Sequence, residues 1–217
     1  MRSDVEVIED RRWGRSCLGY NVQLPIVGDA AQAFAAAQAH LLTLLGARIR
    51  PIPGDALHIS TYGVIPVTWD SPHKEAVWNR LSAAVHTLVA RRCERASPFS
   101  LAFEQVRVER QAIISVATES NALIEDLRDD LAALVAPTSI PPRSYAIVHS
   151  TLARFSQSGT MDSELVAQVD QTPLRTIVNV ERVQLVCERV YPSLSLELLA
   201  SWPLSARAGP LQTVEER

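Results

Sequence analysis

Two short stretches of the chain place an imidazole one residue away from a hydroxyl: His58-Ile59-Ser60 and His149-Ser150-Thr151. On a β-strand, residues i and i+2 share a face, so each stretch would offer a histidine and a hydroxyl side by side to one ligand. Unperturbed imidazole titrates at about 6.5, and two imidazoles facing each other across a phosphate can act as general base and general acid. Two hydroxyls would donate to the non-bridging oxygens, where charge must be held in the transition state. Chemistry of this kind requires no metal.

The flanking elements are built to hold such residues. Residues 18–26 read as a strand closed by Pro25 and a turn at Gly28 and Asp29. Asp29 is the expected N-cap of a helix over 30–45, which stops at Gly46. Pro51, Pro53 and Gly54 punctuate before a strand over 56–64 that carries the first motif, and a second helix runs from Pro72 to about Arg92. Strands are expected at 99–108 and 112–117, followed by a helix over 121–135 with Leu123, Leu127, Leu131 and Leu134 on one face. A strand over 145–153 bears the second motif; a short helix near 161–169 and strands at 175–182, 183–189 and 193–199 follow. A shift of 91 residues lays 19–26 on 110–117, 30–45 on 121–136 and His58 on His149 without a gap. A strand-helix-strand unit therefore occurs twice.

The stretches ALHISTY (56–62) and IVHSTLAR (147–154) resemble the paired H-x-[ST]-hydrophobic signatures of the 2H phosphoesterase superfamily, which contains bacterial 2'-5' RNA ligase-like proteins and cyclic phosphodiesterases. The order of elements follows that resemblance from residue 18 to 199. It implies a bilobal α+β fold in which pseudo-twofold duplicated units form two antiparallel sheets facing a central cleft. It further implies that His58 and His149 are catalytic, that Ser60 and Thr151 hold the phosphate, and that Arg154 matches a basic residue often found after the second motif. Tyr62 and Phe155, just beyond the motifs, and Tyr20 on the first strand are candidates to stack on a base. Two positions depart from the pattern: Thr61 stands where an apolar residue is usual, and Ser150 fills a position that normally points into the core. The implied activity is metal-independent hydrolysis of a cyclic phosphate or 2'-5' phosphodiester of a nucleotide or RNA end, with no cofactor. The alternative from another class is a catalytically idle nucleotide or RNA-end binding module of the same fold.

Composition narrows the field further. With 217 residues, 47% of them hydrophobic, and a formal charge of −3, the chain can bury a full core and has no global field to steer it toward polyanions. Cys17, Cys93 and Cys187 show no CxxC spacing and read as free thiols. The N-terminus lacks the apolar core of a secretory signal and no run is long enough to span a membrane, so the expected location is cytoplasmic. Arginine outnumbers lysine 20 to 1. No Gly-rich phosphate loop, nucleophile elbow or zinc-protease motif is present, and no obligate protein partner is evident. His40, His73 and His86 fall on helices without ligand spacing. The expected organisation is a charged lead over 1–17, a single bilobal domain over 18–204 and a polar tail over 205–217.

Overall fold

The computed structural model describes residues 3–205. Its first half runs β1 (Val5–Val7), β2 (Ser16–Pro25), α1 (Gly28–Leu45), β3 (Ile49–Pro51), β4 (His58–Ile65) and α2 (Lys74–Cys93). The second half begins with β5 (Phe99–Glu109), β6 (Ala112–Ala117), α3 (Ala122–Val135), β7 (His149–Phe155) and β8 (Gly159–Met161). It ends with α4 (Ser163–Asp170), β9 (Thr176–Val180), β10 (Arg182–Val190) and β11 (Ser195–Pro203).

Two antiparallel sheets dominate, one in the order β11-β10-β2-β4 and one in the order β3-β7-β6-β5-β9, and β1 pairs separately with β8. This is the expected bilobal α+β architecture. The duplicated units match down to their pairing. In the first sheet Pro25, Gln23 and Asn21 stand opposite His58, Ser60 and Gly63. In the second, Val116, Ile114 and Ala112 stand opposite His149, Thr151 and Arg154, each 91 positions later. Both motif strands also slip register at the same place, leaving Thr61 of β4 and Leu152 of β7 as extra residues directly after the motif hydroxyl. Such a bulge reverses the in-out alternation beyond it.

Each bulge is secured by the helix of the other unit. α1 packs on β3, β7 and β9 of the five-stranded sheet, and the buried Gln38 amide donates to the carbonyls of Leu152 (2.8 Å) and Ile52 (2.7 Å). α3 packs beside α2 and against β4, where the Arg128 guanidinium donates to the carbonyls of Thr61 (3.3 Å) and Ile147 (2.9 Å). A bulge disrupts the ladder, and these side chains add donors to carbonyls that burial shields from water; the Leu152 carbonyl also accepts from the Ile52 amide at 2.9 Å.

Several sequence expectations need correction. The cap of α1 is Val27, which makes no side-chain bond; Asp29 lies in the first turn, where its charge favours the positive helix end. Gly46 closes the helix as expected, at φ 55°, its amide donating to the Leu42 carbonyl. The strand of the second motif begins at His149 rather than at residue 145. The N-terminal lead is not outside the domain: Val5–Val7 pair with Gly159–Met161, and the amides of Ile8, Asp10 and Gly14 donate to the carbonyls of Arg110, Phe155 and Tyr191. Of the tail, residues 206–217 lie outside the described residues. Among those described, no helix is long and apolar enough to cross a membrane.

Candidate active site

The facing strands β4 and β7 bring His58, Ser60, His149, Thr151 and Arg154 to the wall of one cavity of about 300 Å³. The bulges decide which later residues join them. Simple alternation would put Tyr62 beside Ser60 and Ala153 beside Thr151; the extra residues instead aim Gly63 and Arg154 at the cavity. Tyr62 is therefore turned to the core at 2% exposure, and Phe155, one residue past Arg154, is equally buried. Tyr20 is also in the core, stacked on Trp78 of α2 with ring centroids 4.1 Å apart. None of the three aromatic candidates reaches the cavity, because each sits on the helix-facing side of its strand. Ser150 is likewise buried, opposite Ser115 of β6, and neither hydroxyl finds a hydrogen-bond partner.

His58 is held by the residues two positions before and after it. Its Nδ1 lies 2.8 Å from the Ala56 carbonyl, which can only accept, so Nδ1 carries the hydrogen. In the neutral ring Nε2 is then an acceptor, and it lies 3.1 Å from Ser60 Oγ. Burial lowers the pKa of His58, the Ala56 carbonyl opposes that, and Arg154 adds to it. His149 is driven down to about 4, by burial first and then by Arg154, Arg128 and His58. The Ile147 carbonyl, placed as Ala56 is for His58, pulls the other way without reaching hydrogen-bond geometry, so His149 Nδ1 has no partner. With both pKa values lowered, the two rings are neutral near pH 7.

Arg154 is the cation that the motif strand β7 brings to this site. Its side chain is 21% exposed, its Nε sits 3.6 Å from Asp10 Oδ2, and its guanidinium lies 5.5 Å above the Tyr191 ring. At that distance Asp10 pairs with the charge but takes no hydrogen bond, and the buried Nε–H remains available. The symmetry-related position is Gly63, where a Cβ would come within 3.0 Å of Arg143 Nη1 and 3.1 Å of Asn21 Oδ1. Glycine leaves that room, and its amide donates to the Tyr145 hydroxyl at 2.7 Å.

The cavity also gathers residues that the sequence did not single out: Asn21, Arg143, Tyr145, Glu188 and Tyr191. Glu188 accepts from the Ser193 amide (2.8 Å) and from Asn21 Nδ2 (3.2 Å); burial raises its pKa against those bonds. Asn21 had a legible signal, since the 91-residue repeat aligns it with Ala112 and hence opposite the residue matching Arg154. Glu188 and Tyr191 come from the C-terminal strand region, outside the repeat, and no spacing pointed to them. Among the described residues no three His, Cys, Asp or Glu side chains converge as a metal-holding group.

The two sheets, their paired motif strands and the cleft between them constitute the LigT-like 2H phosphoesterase fold. Among solved structures, the chain is similar to TT0787 of Thermus thermophilus, with a TM-score of 0.65 at 16% identity over 87% of this chain and 99% of that one. It is similar to E. coli LigT in its apo form, with a TM-score of 0.59 at 16% identity over 88% and 99%. It is also similar to ATU0111 of Agrobacterium tumefaciens, with a TM-score of 0.59 at 11% identity over 88% and 90%. E. coli LigT has further been solved with phosphate, 3'-AMP, ATP and NADP+. No family model and no curated protein sequence matches the chain.

Proposed function

We propose that the protein is a metal-independent phosphodiesterase that hydrolyses a cyclic phosphate or a 2'-5' phosphodiester of a nucleotide or RNA end. The observation that carries this reading is the convergence of both His-x-Ser/Thr pairs and Arg154 on one cavity. One imidazole takes a proton from water as its oxygen attacks phosphorus; the other gives a proton to the ribose oxygen as the P–O bond breaks. The net reaction is hydrolysis, and each ring ends in the state in which its partner began. Ser60, its hydroxyl turning from His58 Nε2 to the substrate, and Thr151 donate to the non-bridging oxygens, and Arg154 balances their charge. A bound phosphate raises both imidazole pKa values by opposing the burial that lowers them, which supplies the protonated partner the reaction needs. Similarity to LigT, which binds phosphate and nucleotides, supports the substrate class. An idle binding module would have no use for two imidazoles held neutral in a cleft beside an arginine.

The test is a panel of 2',3'-cyclic nucleotides, 3',5'-cyclic nucleotides and 2'-5' oligoadenylates incubated with the protein and a chelator. Turnover of a cyclic or 2'-5' ester that survives chelation is expected. Turnover that vanishes with chelator and returns with a divalent ion would overturn the mechanism.

A further inference from the structure

Beside the catalytic cleft lies a second cavity of about 330 Å³, sharing Val67, Thr68 and Tyr191 with it as a common wall. Its other walls bring together Arg12, Arg15 and Lys74, with Trp69 and the single acid Asp70. Lys74 is the only lysine in a chain that otherwise uses arginine for its basic residues. It is buried, at 9% exposure, and its Nζ donates to the carbonyls of Leu18 (2.9 Å) and Val67 (3.1 Å).

An ammonium has three donors, and two are taken by neutral oxygens. Among the described residues neither Lys74 nor Arg12 nor Arg15 makes an ion pair with a carboxylate. A cation removed from water and left without an anion is costly, and here a second cation, Arg12, bears on it as well. Burial is the first cause that holds the Lys74 pKa below its ordinary value, with Cys17, Asp70 and Glu188 pulling it up and Arg12 pushing it down. A compact ammonium fits between two carbonyls where a guanidinium fork would not. The cavity thus has the composition of an anion site, one wall away from the cleft.

We infer that this cavity binds a second phosphate of the same substrate, so that the cleft and its neighbour together take a nucleotide bearing phosphates on both sides of one sugar. The inference rests on reading the cleft as a phosphate site and adds the substrate class. The N-terminal segment would then act twice: Asp10 holds Arg154 at the first phosphate, and Arg12 and Arg15 meet the second.

Binding of adenosine 3'-phosphate and adenosine 3',5'-bisphosphate, measured by calorimetry, separates this inference from the proposed activity. The bisphosphate is expected to bind about tenfold tighter or better, the scale of one charge-assisted contact. Its advantage should shrink to within about twofold in the Arg12→Ala, Arg15→Ala double variant, whose changes are at exposed positions, and in Lys74→Met. The His58→Ala, His149→Ala protein should bind both ligands less well and keep their ratio. Equal affinities in the parent protein, or a preference untouched by the arginine variant, would overturn the second site while leaving the phosphodiesterase reading standing. A preference that is lost in the arginine variant, in a protein that hydrolyses none of the panel esters, would retain the site and sink the proposed activity. If Lys74→Met does not fold, the arginine variant decides alone.

Discussion

An imidazole buried next to two arginines resists protonation, and this pressure on His149 has consequences for both stability and rate. Its folded pKa of about 4 lies below the unfolded value near 6.5, so the unfolded chain binds more protons between those limits. Stability contributed by neutral His149 is complete above pH 6.5 and falls as pH drops toward 4, by roughly 3 kcal/mol at most. A His149→Asn protein should lose that slope in denaturant titrations taken across this window; an unchanged slope would place the shift elsewhere. In turnover, the free protein sets the profile of kcat/KM and the complex sets that of kcat. Substrate phosphate raises both imidazoles, so the kcat profile should lie at higher pH than the kcat/KM profile. Arg154→Met should move the kcat/KM profile upward, since Arg154 lowers both rings. Coincident profiles would argue against a phosphate seated between the histidines. Replacing either histidine by alanine should cost about 10²- to 10⁴-fold in kcat, with the double variant scarcely worse than either single one. Losses that multiply would mean that the rings act in separate steps.

The β-bulges turn two plain strands into a site, and their integrity depends on helices from the opposite unit. Gln38→Leu would take the side-chain donor from the Leu152 and Ile52 carbonyls, leaving Leu152 with the Ile52 amide alone, and Arg128→Met would take the guanidinium donors from Thr61 and Ile147. Each should destabilise by about 1–3 kcal/mol, the scale of two or more hydrogen bonds lost. Each should also lower kcat, because the residues beyond the bulge, Arg154 and Gly63, lose their phase; urea midpoints and steady-state rates on the same samples check both. A midpoint that moves while kcat stays constant would show that the bulge geometry stands without its cap. Sequence alone revealed the duplicated strand-helix-strand order and the His-x-Ser/Thr pairs, because helix periodicity, Gly and Pro punctuation and a 91-residue self-match are local signals. The bulges were not legible, since an extra residue in a strand announces itself only through pairing with a distant partner. That is why Tyr62 and Phe155, which simple strand reasoning carried toward the ligand, lie in the core. The strands Val5–Val7, Ile49–Pro51 and Gly159–Met161 escaped notice because three residues are too few to show alternation.

At the level of the whole chain, the duplicated units are not two separable halves. β3, from the first half, forms an edge of the five-stranded sheet by pairing with β7. β10 and β11 return from the C-terminal end to complete the four-stranded sheet, where Leu185 stands opposite Val22 and Cys187 opposite Tyr20. α1 and α3 likewise cross to the sheet of the other unit. Cutting the chain in the connection between α2 and β5 would strip the first sheet of two strands and the second of one, leaving β2 without β10 and β7 without β3. Such a polypeptide is laced rather than beaded, and its cooperativity should reflect it. Thermal unfolding followed by far-ultraviolet dichroism and by tryptophan fluorescence should give one coincident transition, and co-expressed fragments 1–96 and 97–217 should be recovered folded only together.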